Sequence, residues 1–380
     1  MSKSTTDIFS KFHALLGREA VAEPGLGLEP FLHLDEGGIY NPQTGRSLNP
    51  ESASFRQVRL LHSSELRPQD LSASARESLR AEGWLVTIEG AESGRRFRLK
   101  YASIEAGTVC NQSCYFCPVS TDPREAHTMP FELYEQIVRQ LAAYKDTLEG
   151  VSMIQYNEPT VDTLFIPRLR LLKQYGLKPA FSTNGTGLTP ERTDDIVAAG
   201  GIRFLAINLS TLDPQRYAAD RGHDHLAVVL RNVDYAATRR AAVQMEIMVL
   251  GRGDEYHKAD FRAIQERYAG SMFEVKSAVV MDRAGAVTVG IKPYTPVRKL
   301  CGCEQTGSRP LEWIHILPDA QCVLCCQDYH AKYVIGDLKR QTLDEVLAGP
   351  EIARLRRWAY GLEDAPGDFI CRHCVYARGQ

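Results

Sequence analysis

Apolar and polar positions alternate through FLHLDEGGIYNPQTGRSL, with breaks at Gly37-Gly38 and from Asn41 to Gly45, which predicts short strands joined by tight turns. The period then lengthens. In LSASARESLRAEGWLV, Leu71, Ala75, Leu79 and Ala81 lie near helical spacing, Gly83 stops the run, and the apolar WLV predicts a closing strand. Residues 1–96 therefore read as a small α+β unit ending in the turn or linker GAESGRR.

From residue 97 the pattern becomes strands alternating with amphipathic helices, as in parallel βαβ construction. FRLKYASIE, GVSMIQY, KPAFST, IRFLAINLS, VQMEIMVL and FEVKSAVV are the strand candidates. Among the helices, FELYEQIVRQLAAY sets Leu133, Ile137, Leu141 and Tyr144 on one stripe, and TPERTDDIVAAGG opens on Thr189 as N-cap with Pro190 in the first turn. About six βα units over residues 97–295 predict a parallel sheet, open or closed, with ligands at the C-terminal ends of its strands. Over residues 296–380 the pattern changes again. LEWIHILPDAQCVLCCQD predicts a hairpin turning at Pro318 to Ala320, and QTLDEVLAGPEIARLRRWAYG a helix broken at Gly349-Pro350.

The chain of 380 residues is long enough for two or three domains, and 45 Lys plus Arg against 47 Asp plus Glu leave no net field to attract nucleic acid or an anionic membrane. MSKSTTDIFSKFHALL lacks the apolar core of a signal peptide and no apolar run is long enough to span a bilayer, so the expected location is the cytoplasm, with neither nucleic acid nor membrane as partner. In that reducing compartment, clustered thiols read as metal ligands or redox groups rather than disulfides. Of the ten cysteines none precedes Cys110, three fall in CNQSCYFC, and seven lie between Cys301 and Cys374. Two metal neighbourhoods follow.

Taken alone, Cys110, Cys114 and Cys117 fit a partial zinc site, a redox pair with a bystander, or coincidence. On a short loop, three thiolates can also hold a four-iron cluster and leave one iron open for a small molecule. The spacing Cys-x3-Cys-x-aromatic-Cys, with Phe116 as the aromatic, resembles the signature of the radical S-adenosylmethionine enzymes. That resemblance implies a partial (βα)6 TIM-like barrel in which Cys110, Cys114 and Cys117 bind the catalytic 4Fe-4S cluster and the open iron chelates S-adenosylmethionine. It extends over about residues 97–290. QYNEP resembles the Gly-Gly-Glu-Pro motif that meets the cofactor's amino group, with Glu158 and Pro159 matching and Tyr156 and Asn157 in place of the glycines. STNG resembles the ribose-binding segment, with Ser182 and Asn184 as contacts, and NLST offers Asn208 and Ser210. Arg221 is the expected partner of the methionyl carboxylate, and the backbone around Leu250 in VLG the edge that meets adenine. Phe116 would shield the cluster. Each has a plainer reading: Asn208 and Ser210 as helix caps, Arg221 as a solvated surface charge, Phe116 as packing.

The later cysteines resemble the SPASM or shorter twitch extension that holds auxiliary iron-sulfur clusters. Cys303, a turn at Ala320 where the family has glycine, Cys325, Cys371 and Cys374 make one complete ligand set, expected to hold a 4Fe-4S cluster. Cys301, Cys322 and Cys326 exceed that need; Cys322 and Cys326 read as buried small hydrophobes and Cys301 as an alternative to Cys303. A structural zinc is the competing reading of the set. His223 and His225 read as solvated or substrate-facing, His315 as packing, and His373 as a neighbour that tunes the cluster.

The family resemblance implies reductive cleavage of S-adenosylmethionine to a 5′-deoxyadenosyl radical that abstracts a substrate hydrogen, with electrons from a donor such as flavodoxin or ferredoxin. The leading unit is similar to the winged-helix peptide-clasping domain of enzymes that mature ribosomally made peptides, which implies a leader-peptide substrate and a crosslink, epimerisation or oxidation. Its alternative is a structural cap on the barrel. A radical dehydrogenase or epimerase of a small molecule such as a sugar or alcohol, and a non-catalytic zinc-binding protein, are the other functions the sequence allows.

Overall fold

A computed structural model describes residues 25–87, 90–288, 290–305 and 308–379, so MSKSTTDIFSKFHALL lies outside the described residues. The chain divides into two compact units, the first ending at Ser93.

In the first unit, strands β1 (Leu26–Leu28), β2 (His33–Leu34), β3 (Ile39–Asn41) and β4 (Arg46–Leu48) are followed by helices α1 (Ala53–His62) and α2 (Ala73–Ala81) and strand β5 (Leu85–Thr87). β3 sits between β2 and β4 in an antiparallel sheet, and β5 pairs back onto β1. The turn into β4 is made by Asn41, whose Oδ1 accepts from Gln43 N at 2.9 Å, and by Gly45 at φ 72°. Helix α1 is absent from the sequence reading. Ser52 caps it, and it buries Phe55, Val58 and Leu61, a stripe interrupted by Arg56 and Arg59. Those side chains pack with Ile39, Leu79 and Trp84 into one core.

The second unit starts with β6 (Tyr101–Ile104), a short helix α3 (Pro118–Thr121), α4 (Phe131–Ala142), β7 (Gly150–Ser152), α5 (Phe165–Gln174) and β8 (Pro179–Thr183). It continues with α6 (Pro190–Ala198), β9 (Ile202–Leu209), α7 (Pro214–Arg221), α8 (Leu226–Ala236), β10 (Ala242–Gly251), α9 (Glu255–Arg267) and β11 (Glu274–Val279). β6 to β11 pair in chain order and in parallel, which places every strand-to-helix loop at one end of the sheet. The helices close the other side of each unit with apolar faces. In α4 the buried residues are Tyr134, Ile137, Val138 and Leu141, so the stripe is rotated from the predicted one and leaves Leu133 and Tyr144 half-buried at its margin.

The last elements are β12 (Leu300–Cys303), α10 (Arg309–Glu312), β13 (Trp313–Ile316), β14 (Gln321–Val323), β15 (Val334–Asp337), α11 (Leu343–Leu347), α12 (Pro350–Ala359) and β16 (Ala377–Gly379). β13 joins the parallel sheet beside β6, with Trp313 opposite Tyr101 and Ile316 opposite Ile104. β14 and β15 then extend it antiparallel to nine strands, while β12 pairs with β16. The β13–β14 turn holds Ala320 at φ 69°. Arg356 of α12 is wholly buried and donates to the carbonyls of Pro310 (2.8 Å), Gly94 (2.9 Å) and Leu347 (2.8 Å), tying the tail to the entry of the sheet.

Candidate active site and auxiliary metal centre

The CNQSCYFC loop leaves β6 and is strapped to the end of α7: Ser113 N donates to Arg221 O (2.9 Å) and Tyr115 N to Asp220 O (3.2 Å). Gly222 makes this approach possible. Its φ is 72°, and a Cβ there would lie 2.8 Å from the Ser113 Cβ. Arg221 is buried against the loop, its Nε donating to Ser210 Oγ at 2.9 Å and its Nη1 to Cys114 Sγ at 3.8 Å. Its guanidinium carbon stands 5.1 Å from the Phe116 ring centre, and Nη2 has no partner among the described residues. Gln112 bridges the same corner, donating to Tyr217 Oη (2.8 Å) and accepting from Cys114 Sγ (3.6 Å).

Burial pushes the Cys110 thiol up to about 12, helped by the nearby Glu158, Cys114 and Cys117 charges, and burial also raises Cys117. Thiols that resist ionisation so strongly need an adjacent cation to become thiolates, which is what iron supplies. An orphaned, buried guanidinium nitrogen beside them is equally matched to a carboxylate. The residues present therefore fit both a cluster and S-adenosylmethionine.

Glu158 has another role than a free contact. Its Oε1 accepts from Thr160 N (3.0 Å), Thr160 Oγ1 (2.6 Å) and Thr183 Oγ1 (2.7 Å), and its Oε2 from Asn184 N (2.7 Å). The carboxylate thus locks the loop after β7 to the loop after β8. Asn184 is engaged too, donating to Asn111 Oδ1 (2.8 Å) and accepting from Thr186. Asn157 Oδ1 takes the amide of Gln155, and Tyr156 N donates to Glu105 Oε1 at 2.8 Å. Ser182, Asn208 and Leu250 are half-buried at the C-terminal ends of β8, β9 and β10, with no side-chain hydrogen bond to the loop among the described residues.

The sequence reading missed three groups here. Glu105, wholly buried, holds Arg124 through two bonds (3.0 and 2.6 Å), and Arg124 stacks 4.9 Å over Tyr329. Tyr329 packs edge-on against Tyr156, whose hydroxyl is buried without a partner among the described residues. Arg283 sits at φ 54°, a left-handed backbone conformation uncommon for an L-residue. No local spacing marks them, because each partner comes from a distant segment.

Cys303, Cys325, Cys371 and Cys374 line one cavity together with Arg309. Cys322 and Cys301 do not: the first is wholly buried in β14 and the second is exposed. Cys326 lies beside Cys325, whose hydrogen bond, with the Arg309 and Arg283 guanidinia, lowers the Cys326 thiol; the same hydrogen bond, with burial, raises the Cys325 thiol. His315 is not simple packing. It offers a ring nitrogen within 4.8 Å of both the Cys325 and Cys326 sulfurs. His373 bonds the Gly367 carbonyl at 3.1 Å, and the His223 and His225 rings stack on each other at 5.3 Å. No helix among the described residues is long and apolar enough to cross a membrane.

A profile described as the radical SAM superfamily matches residues 104–262, and one described as an iron-sulfur cluster-binding SPASM domain matches residues 303–375. The chain belongs to the radical S-adenosylmethionine superfamily and carries a C-terminal SPASM domain; its cofactors are S-adenosylmethionine and iron-sulfur clusters. Curated relatives include an uncharacterised protein of Methanocaldococcus jannaschii, 24% identical over 40% of this chain and 49% of that one. A tungsten-containing aldehyde ferredoxin oxidoreductase cofactor-modifying protein of Pyrococcus furiosus is 23% identical over 40% of this chain and 44% of its own. The chain spans about half the length of these relatives. Among solved structures, SuiB of Streptococcus suis bound to the precursor peptide SuiA superposes with a TM-score of 0.57, covering 87% of this chain and 90% of that one at 11% identity. That likeness is one of fold.

Proposed function

We propose that this protein is a radical S-adenosylmethionine enzyme that removes a hydrogen from a ribosomally synthesised peptide, leading to a crosslink, an epimerisation or an oxidation. The carrying observation is the buried corner where Arg221 meets Cys114, Ser210 and Phe116 and keeps Nη2 without a partner among the described residues. When bound, a reduced four-iron cluster and S-adenosylmethionine supply a 5′-deoxyadenosyl radical as the hydrogen-abstracting agent.

The chain's part is to bind, orient and exclude. Cys110, Cys114 and Cys117 would hold the cluster, and Arg221 Nη2 would take the cofactor's carboxylate by a charge-assisted bond. Glu158 holds the QYNEP and STNG loops at fixed spacing, so the cofactor's amino group and ribose meet backbone and the Ser182, Asn184 and Asn208 side chains. Phe116 would shield the cluster, and the backbone around Leu250 would meet adenine. Cys303, Cys325, Cys371 and Cys374 hold one auxiliary cluster, since they line a common cavity. For the peptide, the leading unit has β2 and β4 as sheet edges among the described residues, where a strand can add. The fold shared with a precursor-peptide-bound enzyme supports the same substrate class.

Anaerobic reconstitution with iron and sulfide, followed by reduction in the presence of S-adenosylmethionine, tests the first half: 5′-deoxyadenosine must form, and must vanish in Cys114→Ala. Coexpression with the short peptides encoded beside the gene tests the second. A mass change in one of them that requires residues 1–96 supports the reading, whereas turnover of a sugar or alcohol by protein lacking that unit overturns it.

A further inference from the structure

Four buried nitrogens on α10 and β13 have no hydrogen-bond partner among the described residues: Arg309 Nε, Trp313 Nε1 and both ring nitrogens of His315. They belong to one stack. The Arg309 guanidinium carbon is 4.1 Å from the Trp313 ring centre, and the Trp313 and His315 rings lie 5.4 Å apart with 5° between their planes. Sequence explains the alignment, since Trp313 and His315 are alternate residues of β13 and share a face, and Arg309 opens the helix that leads directly into that strand. The stack abuts the thiols at two points. Arg309 lines the cavity of Cys303, Cys325, Cys371 and Cys374, and a His315 nitrogen lies within 4.8 Å of the Cys325 and Cys326 sulfurs.

Buried donors without acceptors are rare and costly, and several in one row point to an acceptor that the chain itself does not provide. An imidazole carries at least one N–H, and neither ring nitrogen of His315 meets an acceptor among the described residues. Anionic sulfur is the matching acceptor: the thiolates and sulfides of an iron-sulfur cluster.

We propose that Arg309 and His315 donate hydrogen bonds to the sulfurs of the auxiliary centre and thereby set its reduction potential. The inference rests on the reading of the four cysteines as cluster ligands. A fixed guanidinium and an N–H donor favour the more negative, reduced state, so together they make the potential less negative. Both are positioning residues, acting through the centre and not on the substrate.

The test is an EPR-monitored redox titration of anaerobically reconstituted full-length holoenzyme, with the radical-site signal identified by its loss in Cys114→Ala. Arg309→Gln and His315→Phe, the latter keeping the stack, are each expected to shift the auxiliary potential to more negative values, Arg309→Lys to shift it less, and none to move the radical-site potential. Iron and sulfide counts on the wild type judge the underlying reading separately: absence of auxiliary iron overturns both. Unchanged potentials in variants with a full iron complement overturn the donor role alone. So does a strong nitrogen hyperfine coupling that disappears in His315→Phe, which would make His315 an iron ligand. If His315→Phe does not retain auxiliary iron, the Arg309→Gln titration decides.

Discussion

The Arg221 Nη1 lies 3.8 Å from the sulfur of Cys114, a residue 107 positions away, and the same guanidinium donates to Ser210 Oγ at 2.9 Å. Charge, thiol and hydroxyl meet where the loops after β6 and β9 face the last residue of α7. Replacing Arg221 with Gln removes a charge-assisted donor worth about 1.5–3 kcal/mol, so S-adenosylmethionine binding should weaken ~10- to 100-fold. Equilibrium dialysis on reconstituted protein checks this, with iron content expected to stay at the wild-type level.

Ala320 sits fully buried in the β13–β14 turn at φ 69°, a conformation that costs an L-residue about 1–2 kcal/mol. Ala320→Gly should therefore raise stability by ~0.5–1 kcal/mol after the extra freedom of glycine in the unfolded chain is deducted. Ala320→Val should lower it by about 1–3 kcal/mol. Hydrogen exchange of the amides at Leu338 and Ala320, which close this turn, reports the change locally.

The metal-free protein should reveal Cys326 by its chemistry. Its thiol is lowered by the hydrogen bond from Cys325 and by two guanidinia, while burial raises Cys110 and Cys322. A lowered thiol is thiolate at neutral pH and loses that form as pH falls. Iodoacetamide at pH ~7 should thus label Cys326 at least about 10-fold faster than Cys110 or Cys322, and the advantage should shrink on acidification. Peptide mapping by mass spectrometry decides; equal labelling of all three would contradict the arrangement.

Arg356 donates to main-chain carbonyls from three segments, and burial holds its pKa down to about 9. Arg356→Ala leaves those acceptors buried without a donor and should cost ~3–5 kcal/mol. A drop in the midpoint of urea unfolding is the expected readout, with Arg356→Lys losing less.

What could be read from the sequence is what chemistry forces into short spans. The Cys110–Cys117 spacing, the Thr189 cap and the apolar run in IRFLAINLS each satisfy a local rule, and the structure builds the loop, the helix and the strand there. The α1 helix was missed because Arg56 and Arg59 interrupt an apolar stripe of only three buried residues. The bonds that tie Glu158 to Thr183 and Asn184 left no sign in the sequence, because those two partners come from an adjacent strand end. Arg356 and His315 lay beyond any periodicity argument: the first reaches a carbonyl 262 positions away, and the second owes its meaning to where a hairpin places it. Long-range partners leave no mark on spacing.

The parallel pairing of β13 with β6 carries one more consequence. The strand that delivers the first three cysteines and the strand that runs into the hairpin of Cys322, Cys325 and Cys326 are neighbours in a single hydrogen-bonded ladder. The two cysteine-bearing regions are then coupled through main-chain hydrogen bonds, so the register between these strands fixes how the chain enters and leaves each of them. Cutting the chain ahead of β13 would strip β6 of its neighbour and leave a row of bare amides and carbonyls, so the tail cannot be shed as an accessory.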